Sequence, residues 1–133
     1  MTVTSHWTIA DLDYNLTQQG DRYEIFSGEL YVSKQPRCYH QRVCFKIGNQ
    51  LEAWNDETAL GEMNLAPGII LSDKDAVAPD LVWTSRARLA VALNEDGKLH
   101  SAPELVIDVI SPGKDNEIRD QVSQRGERLA RSL

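Results

Sequence analysis

Leu105-Val-Ile-Asp-Val-Ile110 is a nearly continuous apolar run in the last third of the chain. Such a run is typical of a strand that is covered on both faces, and we expect a strand over residues 104–111. Asp108 interrupts it, and burial of an unpaired carboxylate costs several kcal/mol. The partner of Asp108 is therefore a divalent metal ion or a basic side chain, unless Asp108 faces water at the strand edge.

A second aspartate, Asp80, follows Pro79 at the start of another expected strand, over residues 80–84. Proline is tolerated at a strand start because its missing N–H costs little there. Taken alone, Pro79-Asp80 is more typical of a simple turn. Two aspartates on adjacent strands, however, supply the oxygen ligands that Mg²⁺ prefers, so the pair predicts a metal site.

The remaining elements follow from the spacing of apolar residues. Two β-rich runs around Ser27-Gly28 predict a β-hairpin over residues 23–33. Val43, Ile47, Leu51 and Trp54 recur at helical spacing and predict an amphipathic helix from residue 37 to about 55. Further pieces are a strand region over 62–71 and helices over 8–19, 85–93 and from 116 onward. The order αββαββαβα indicates one α/β (α+β) domain, in which a mixed sheet packs against helices.

Composition places the 133-residue chain among ordinary globular domains, with 41% hydrophobic and 26% charged residues. It contains no apolar run of transmembrane length and does not begin like a secretory signal, so we expect a cytoplasmic protein without a membrane partner. A net charge of -6 argues against a plain nucleic-acid coat. Cys38 and Cys44 lack the spacing of a zinc motif or a disulfide framework, and we expect reduced thiols.

Four motifs that follow one another in the chain resemble a known family. They are residues 23–33, His40-Gln41, Val77-Ala-Pro-Asp-Leu-Val82 and Ala102-Pro-Glu-Leu-Val-Ile-Asp-Val-Ile-Ser-Pro112. Together they are similar, from about Ile9 to Asp120, to the restriction endonuclease family known as domain of unknown function 820. That family belongs to the PD-(D/E)XK nuclease-like superfamily. The resemblance implies a restriction-endonuclease-like fold, a DNA substrate and Mg²⁺ (or Mn²⁺) as cofactor.

The resemblance also implies which residues carry the chemistry. Asp80 and Asp108 would bind the metal ion, with Asp108 in place of the family's usual glutamate. An acid of the hairpin, either Glu24 or Glu29, would reach the site, although each is equally well explained as a solvated charge. His40 continues the apolar stripe of the long helix, where a histidine is either a structural residue or a catalytic one.

The sequence departs from the family pattern at the lysine near the metal. Ile110 stands at the strict motif position and Gln124 at the shifted one. Arg125 and Lys114 are the nearby cations, but arginine is a poor proton acceptor at neutral pH. The sequence ends at Leu133, before the aromatic segment usual in the family, so we expect a single domain, 1–133, that is shortened at its C-terminal end.

Two functions remain open on these grounds. The first is a Mg²⁺-dependent endonuclease that cleaves DNA phosphodiester bonds. The second is a catalytically inactive nuclease-fold module that binds or oligomerises, for instance as a homodimer whose second copy covers an open sheet edge.

Overall fold

The computed structural model of the chain describes residues 6–15 and 22–110. This part contains three helices, which are α1 (Ile9–Asn15), α2 (Cys38–Thr58) and α3 (Arg86–Ala92). It also contains seven strands, which are β1 (Arg22–Phe26), β2 (Glu29–Ser33), β3 (Gly61–Leu65), β4 (Ile69–Ser72), β5 (Asp75–Val77), β6 (Leu81–Ser85) and β7 (Leu105–Ile107). None of the described helices has the length and apolar character needed to cross a membrane.

The strands form two antiparallel sheets, with the orders β2-β1-β5-β4 and β3-β6-β7. The predicted α/β (α+β) class is confirmed. Within the described residues, the only parallel pairing outside these ladders is the isolated bridge between Ile69 and Leu99. Among the described residues, that bridge is therefore the one parallel pairing beside the antiparallel ladders, and it joins β4 to the segment before β7.

The core lies where the two sheets and α3 meet. Its buried members are Ile69 of β4, Val82 of β6, Ala92 of α3 and Leu99. Partly buried apolar side chains extend it on both sides, namely Leu71, Val77, Leu89 and Val106. Because both sheets contribute to one cluster, removal of this apolar surface from water stabilises their association as well as each sheet.

The hairpin of β1 and β2 is confirmed, with its turn at the predicted position. Ser27 and Gly28 both have positive φ, 51° and 80°, which is the combination required by the tight turns that match the twist of a hairpin. The Ser27 N–H donates to Asp75 Oδ1 at 2.8 Å, and the Gly28 N–H donates to the Lys74 carbonyl at 3.1 Å. These bonds fix the turn against the segment that leads into β5.

The long helix was predicted at nearly its observed position, and its buried face is rotated from the predicted stripe, of which His40 is buried and Ile47 and Leu51 are half-buried. Val43 and Trp54 are exposed, whereas His40, Cys44 and Asn55 are the buried residues of α2. The physical reason is that these polar side chains have partners on neighbouring elements. Apolar spacing located the helix, and specific hydrogen bonds determined its rotation.

The strand expected over residues 104–111 is shorter and more exposed than predicted. Its described part, β7, ends at Ile107 and is the outermost strand of β3-β6-β7, with Leu105 40% exposed. Two residues after the end of β7, the Val109 N–H donates to the Asp80 side chain. The helix predicted from residue 116 onward lies outside the described residues, as do Lys114, Gln124 and Arg125.

The short strand β5 was not predicted. It has only three residues and is followed directly by Ala78-Pro79, so it shows too little alternation to be recognised. Its register is determined by distant residues, since Ala76 pairs with Ile25 of β1. Together, β5 and the Ala78-Pro79 segment carry the chain from the first sheet to the start of β6.

Candidate functional site

Asp80 is the centre of a buried polar cluster at the start of β6. Its side chain is 1% exposed, and its Oδ1 lies 3.0 Å from Nη2 of Arg22 on β1. Its Oδ2 lies 3.1 Å from Nε2 of His40 on α2 and accepts the Val109 N–H at 2.8 Å. Contacts from three separate parts of the fold thus compensate the cost of burying this carboxylate.

Asp108 lies next to Asp80 because β6 and β7 are antiparallel neighbours. Leu81 pairs with Ile107, so the start of one strand meets the end of the other. Asp108 Oδ1 accepts the Asp80 N–H at 3.1 Å, while the Asp80 carboxylate accepts the N–H of Val109, the residue after Asp108. The structure therefore brings together the two aspartates that the sequence singled out.

The two hairpin glutamates lie in different environments. Glu24 is buried on β1, and its Oε1 accepts the Ala78 N–H at 2.8 Å, two residues before Asp80. Glu29 is exposed at the start of β2, where its Oε2 accepts the Tyr31 hydroxyl at 2.8 Å. Of the two candidates, Glu24 lies beside the Asp80 cluster, and Glu29 is not brought to it.

His40 is in the cluster, on the buried face of α2. Its side chain is 2% exposed, and Nδ1 lies 3.4 Å from Gln41 Oε1 and 3.8 Å from Cys44 Sγ. Cys44 is one helical turn after His40 and is also buried, whereas Cys38 is exposed; neither cysteine forms a disulfide. The contact of His40 with Asp80 gives it a structural role, and a catalytic role stays a prediction.

Sequence reasoning missed Arg22 and Cys44 as members of the cluster. Both have a local signal, since Arg22 is two residues before Glu24 on one strand face and Cys44 is four residues after His40 on one helix face. That signal depends on knowing which face is buried. The hydrophobic pattern did not supply this information, because the buried face carries these polar side chains.

The cluster offers two different sets of metal ligands. The carboxylates of Asp80 and Asp108 are the hard oxygen ligands that suit Mg²⁺, so the chemistry of this pair fits such an ion. His40, Cys44 and Asp80 form a second set, in which one nitrogen, one sulfur and one oxygen atom all lie within 4.8 Å of one another. Asp80 belongs to both sets and also contacts the Arg22 guanidinium.

A separate polar contact joins Glu104 to the start of α3, outside this cluster. Partial burial raises the pKa of Glu104. Hydrogen bonds from Ser85 and the charge of Arg88 lower it by a larger amount, so the pKa lies below its ordinary value. Ser85 also begins the helix, since its hydroxyl accepts the Arg88 N–H. This contact stabilises the junction of β6 and α3 and takes no part in the Asp80 cluster.

The fold of this chain is shared with a solved structure. It is similar to a crystal structure described as "a putative nuclease belonging to DUF820 from Anabaena variabilis ATCC 29413", with a TM-score of 0.68 and 14% identity over 90% of this chain and 67% of the other. At this low identity, the similarity concerns the fold alone.

The family is shown by sequence. A family model with the description "Putative restriction endonuclease", Uma2, matches residues 10–124, and the chain belongs to that family. The resemblance inferred from the four motifs is thereby confirmed. No curated protein matches the chain.

Proposed function

We propose that this protein is a metal-dependent endonuclease that hydrolyses DNA phosphodiester bonds, with Asp80 and Asp108 as the ligands of Mg²⁺ or Mn²⁺. The observation that supports this proposal is the reciprocal pair of hydrogen bonds, Asp80 N–H to Asp108 and Val109 N–H to Asp80. These bonds link the two aspartates at the junction of β6 and β7, where each carboxylate accepts a backbone N–H from the neighbouring segment. Membership of the family supports a nucleic acid as the substrate class of this proposal.

Each residue of the cluster has a defined task in this proposal. A bound divalent cation supplies Lewis-acid stabilisation of the phosphate and activates the attacking water. Asp80 and Asp108 bind the cation, and Val109 N–H and His40 orient the Asp80 carboxylate. Glu24 fixes the segment before Asp80 through the Ala78 N–H.

Arg22 supplies positive charge in this sequence, which lacks the lysine of the family pattern. Its Nη1 is buried and makes no hydrogen bond with any described residue, while Nη2 contacts Asp80. An arginine fork binds phosphate oxygens well but accepts no proton at neutral pH. We therefore assign Arg22 to charge compensation at the site and assign no proton transfer to it.

The second candidate function is a catalytically inactive nuclease-fold module. The Arg22–Asp80 contact favours it, because the buried carboxylate already has a cationic partner. For such a module we propose a homodimer, to be detected by size-exclusion chromatography with light scattering. A monomer that binds Mn²⁺ through both aspartates would contradict this alternative.

A plasmid-nicking assay in Mg²⁺ or Mn²⁺ tests the first function. Asp80→Asn and Asp108→Asn should each reduce nicking by about 100-fold or more, since each removes a charged ligand from the site of phosphate activation. Asp56→Asn is the matched control, because Asp56 is exposed on α2 away from the cluster. Circular dichroism verifies that each variant is folded, and equal nicking by all four proteins would reject the assigned ligands.

A further inference from the structure

We propose that His40, Cys44 and Asp80 form a binding site for a borderline or soft divalent metal ion, of which Zn²⁺ and Co²⁺ are the test cases. The site uses an imidazole nitrogen, a thiolate and a carboxylate oxygen as its three protein ligands. All three residues are buried, and their ligand atoms lie within 4.8 Å of one another. This site shares Asp80 with the Asp80–Asp108 pair but differs from it in the other ligands and in the metal chemistry they favour.

The spacing of the nitrogen and oxygen ligands matches a tetrahedral ion, whereas Cys44 Sγ contacts the other ring nitrogen, Nδ1, at 3.8 Å and has to turn toward Nε2 when an ion binds. Bonds of about 2.0–2.2 Å to nitrogen and oxygen place those two ligands roughly 3.3 Å apart. His40 Nε2 and Asp80 Oδ2 are 3.1 Å apart, so an ion that replaces their hydrogen bond needs little movement of either side chain. Cys44 completes the set from the same helix face, one turn after His40, which is the spacing of paired zinc ligands on a helix.

The surroundings orient these ligands for metal binding. With Nε2 as the ligand atom, His40 Nδ1 faces Gln41 Oε1 at 3.4 Å, and a ligating histidine ordinarily donates its second ring N–H to such an acceptor. Arg22 remains on Oδ1 of Asp80, and Oδ2, which also accepts the Val109 N–H, faces the imidazole. The fold thus holds two of the three ligands in place before an ion arrives.

The ligand types select the metal. Thiolate and imidazole suit zinc, cobalt and similar ions, whereas Mg²⁺ takes oxygen ligands almost exclusively. Three protein ligands leave one position of a tetrahedral ion for water. Because Asp80 belongs to both sets, an ion held by His40 and Cys44 withdraws this carboxylate from Mg²⁺. Zn²⁺ should therefore inhibit the nicking of DNA, a consequence that rests on the proposed function.

Titration of the full chain with Co²⁺ tests the site directly. We expect a thiolate-to-cobalt charge-transfer band in the near ultraviolet that saturates at one ion per chain and disappears when Zn²⁺ is added. Cys44→Ser should abolish the band, and His40→Ala should weaken Co²⁺ binding by at least about tenfold. Cys38→Ser is the matched control, because Cys38 is exposed at the start of α2, and it should leave the band unchanged.

A second measurement avoids substitution of any buried residue. In the Cys38→Ser protein, Zn²⁺ should slow the reaction of Cys44 with a thiol reagent several-fold, while Mg²⁺ should not. Absence of the charge-transfer band in the wild type, or a band that survives Cys44→Ser, would overturn the site.

The two proposals fail in different ways. A protein that nicks DNA with Mg²⁺ but gives no Co²⁺ band contradicts the transition-metal site and leaves the nuclease function standing. A protein that gives the band but nicks no DNA supports the site and contradicts the nuclease function.

Discussion

Asp80 is a fully buried carboxylate whose charge is compensated by side chains from distant parts of the sequence. Arg22 is 58 residues away from it in the chain and His40 is 40 residues away, yet both contact its oxygens within 3.1 Å. Such a pair adds little stability relative to an apolar core, but loss of one partner leaves a buried charge uncompensated. Removal of any one partner of Asp80 is therefore expected to lower the free energy of unfolding by more than the intact contact adds.

Arg22→Met should make this dependence measurable. Methionine keeps the apolar stem of the side chain and removes the guanidinium, leaving Asp80 without its cation. We expect the free energy of unfolding in urea to fall by about 3 kcal/mol at neutral pH, as for other broken buried pairs. Arg42→Met, at an exposed position of α2, should change it by less than about 0.5 kcal/mol. Similar values for the two variants would contradict the assigned role of Arg22.

The sequence made the two aspartates predictable for a physical reason. Each aspartate stands in or beside an apolar run of the sequence. A charged side chain there conflicts with the burial expected of its neighbours, and this conflict can be recognised from the sequence alone. Arg22 shows no such conflict, because an arginine at a strand start is ordinary. Its role depends on a tertiary contact that only the folded chain defines.

At the scale of elements, the long helix shows the limit of hydrophobic periodicity. The pattern located α2 to within a few residues, but the buried face is offset toward His40, Cys44 and Asn55. Asn55 explains part of the offset, because its Oδ1 accepts the indole N–H of Trp83 on β6 at 2.9 Å. The adjacent Trp54 remains 43% exposed and packs edge-on against Trp83 with ring centroids 5.6 Å apart.

Asn55→Leu tests whether that hydrogen bond positions α2 on the sheet. Leucine branches at the same carbon as asparagine and is a better helix former, but it is larger and leaves the Trp83 N–H without its acceptor. We expect a loss of about 1–3 kcal/mol in urea unfolding, the usual cost of an unsatisfied buried donor. Asn49→Leu is the control, since Asn49 is exposed on the same helix and gains only helix propensity. A more stable Asn55→Leu protein would show that the bond contributes nothing.

At the scale of the whole molecule, local elements were predictable and their arrangement was not. The hairpin and α3 follow from turn and capping chemistry within a few residues, as in the Ser85 hydroxyl that accepts the Arg88 N–H. The division of seven strands into two sheets depends instead on pairings such as Ile25 with Ala76, between residues far apart in sequence. The order of elements indicated the α/β (α+β) class, and the family resemblance added the restriction-endonuclease-like fold, because a family carries this non-local information.

The shared core predicts that the two sheets unfold together. Ile69 belongs to the first sheet but is buried against Val82 of the second, so Ile69→Ala removes surface common to both. We expect a loss of about 3 kcal/mol. Native-state hydrogen exchange should show equal loss of protection at the amides of Ile25 in β1 and Val82 in β6. Val91→Ala, at an exposed position of α3, is the control and should change neither amide. Loss of protection at Ile25 alone would mean that the first sheet opens independently. The shared core would then not couple the unfolding of the two sheets.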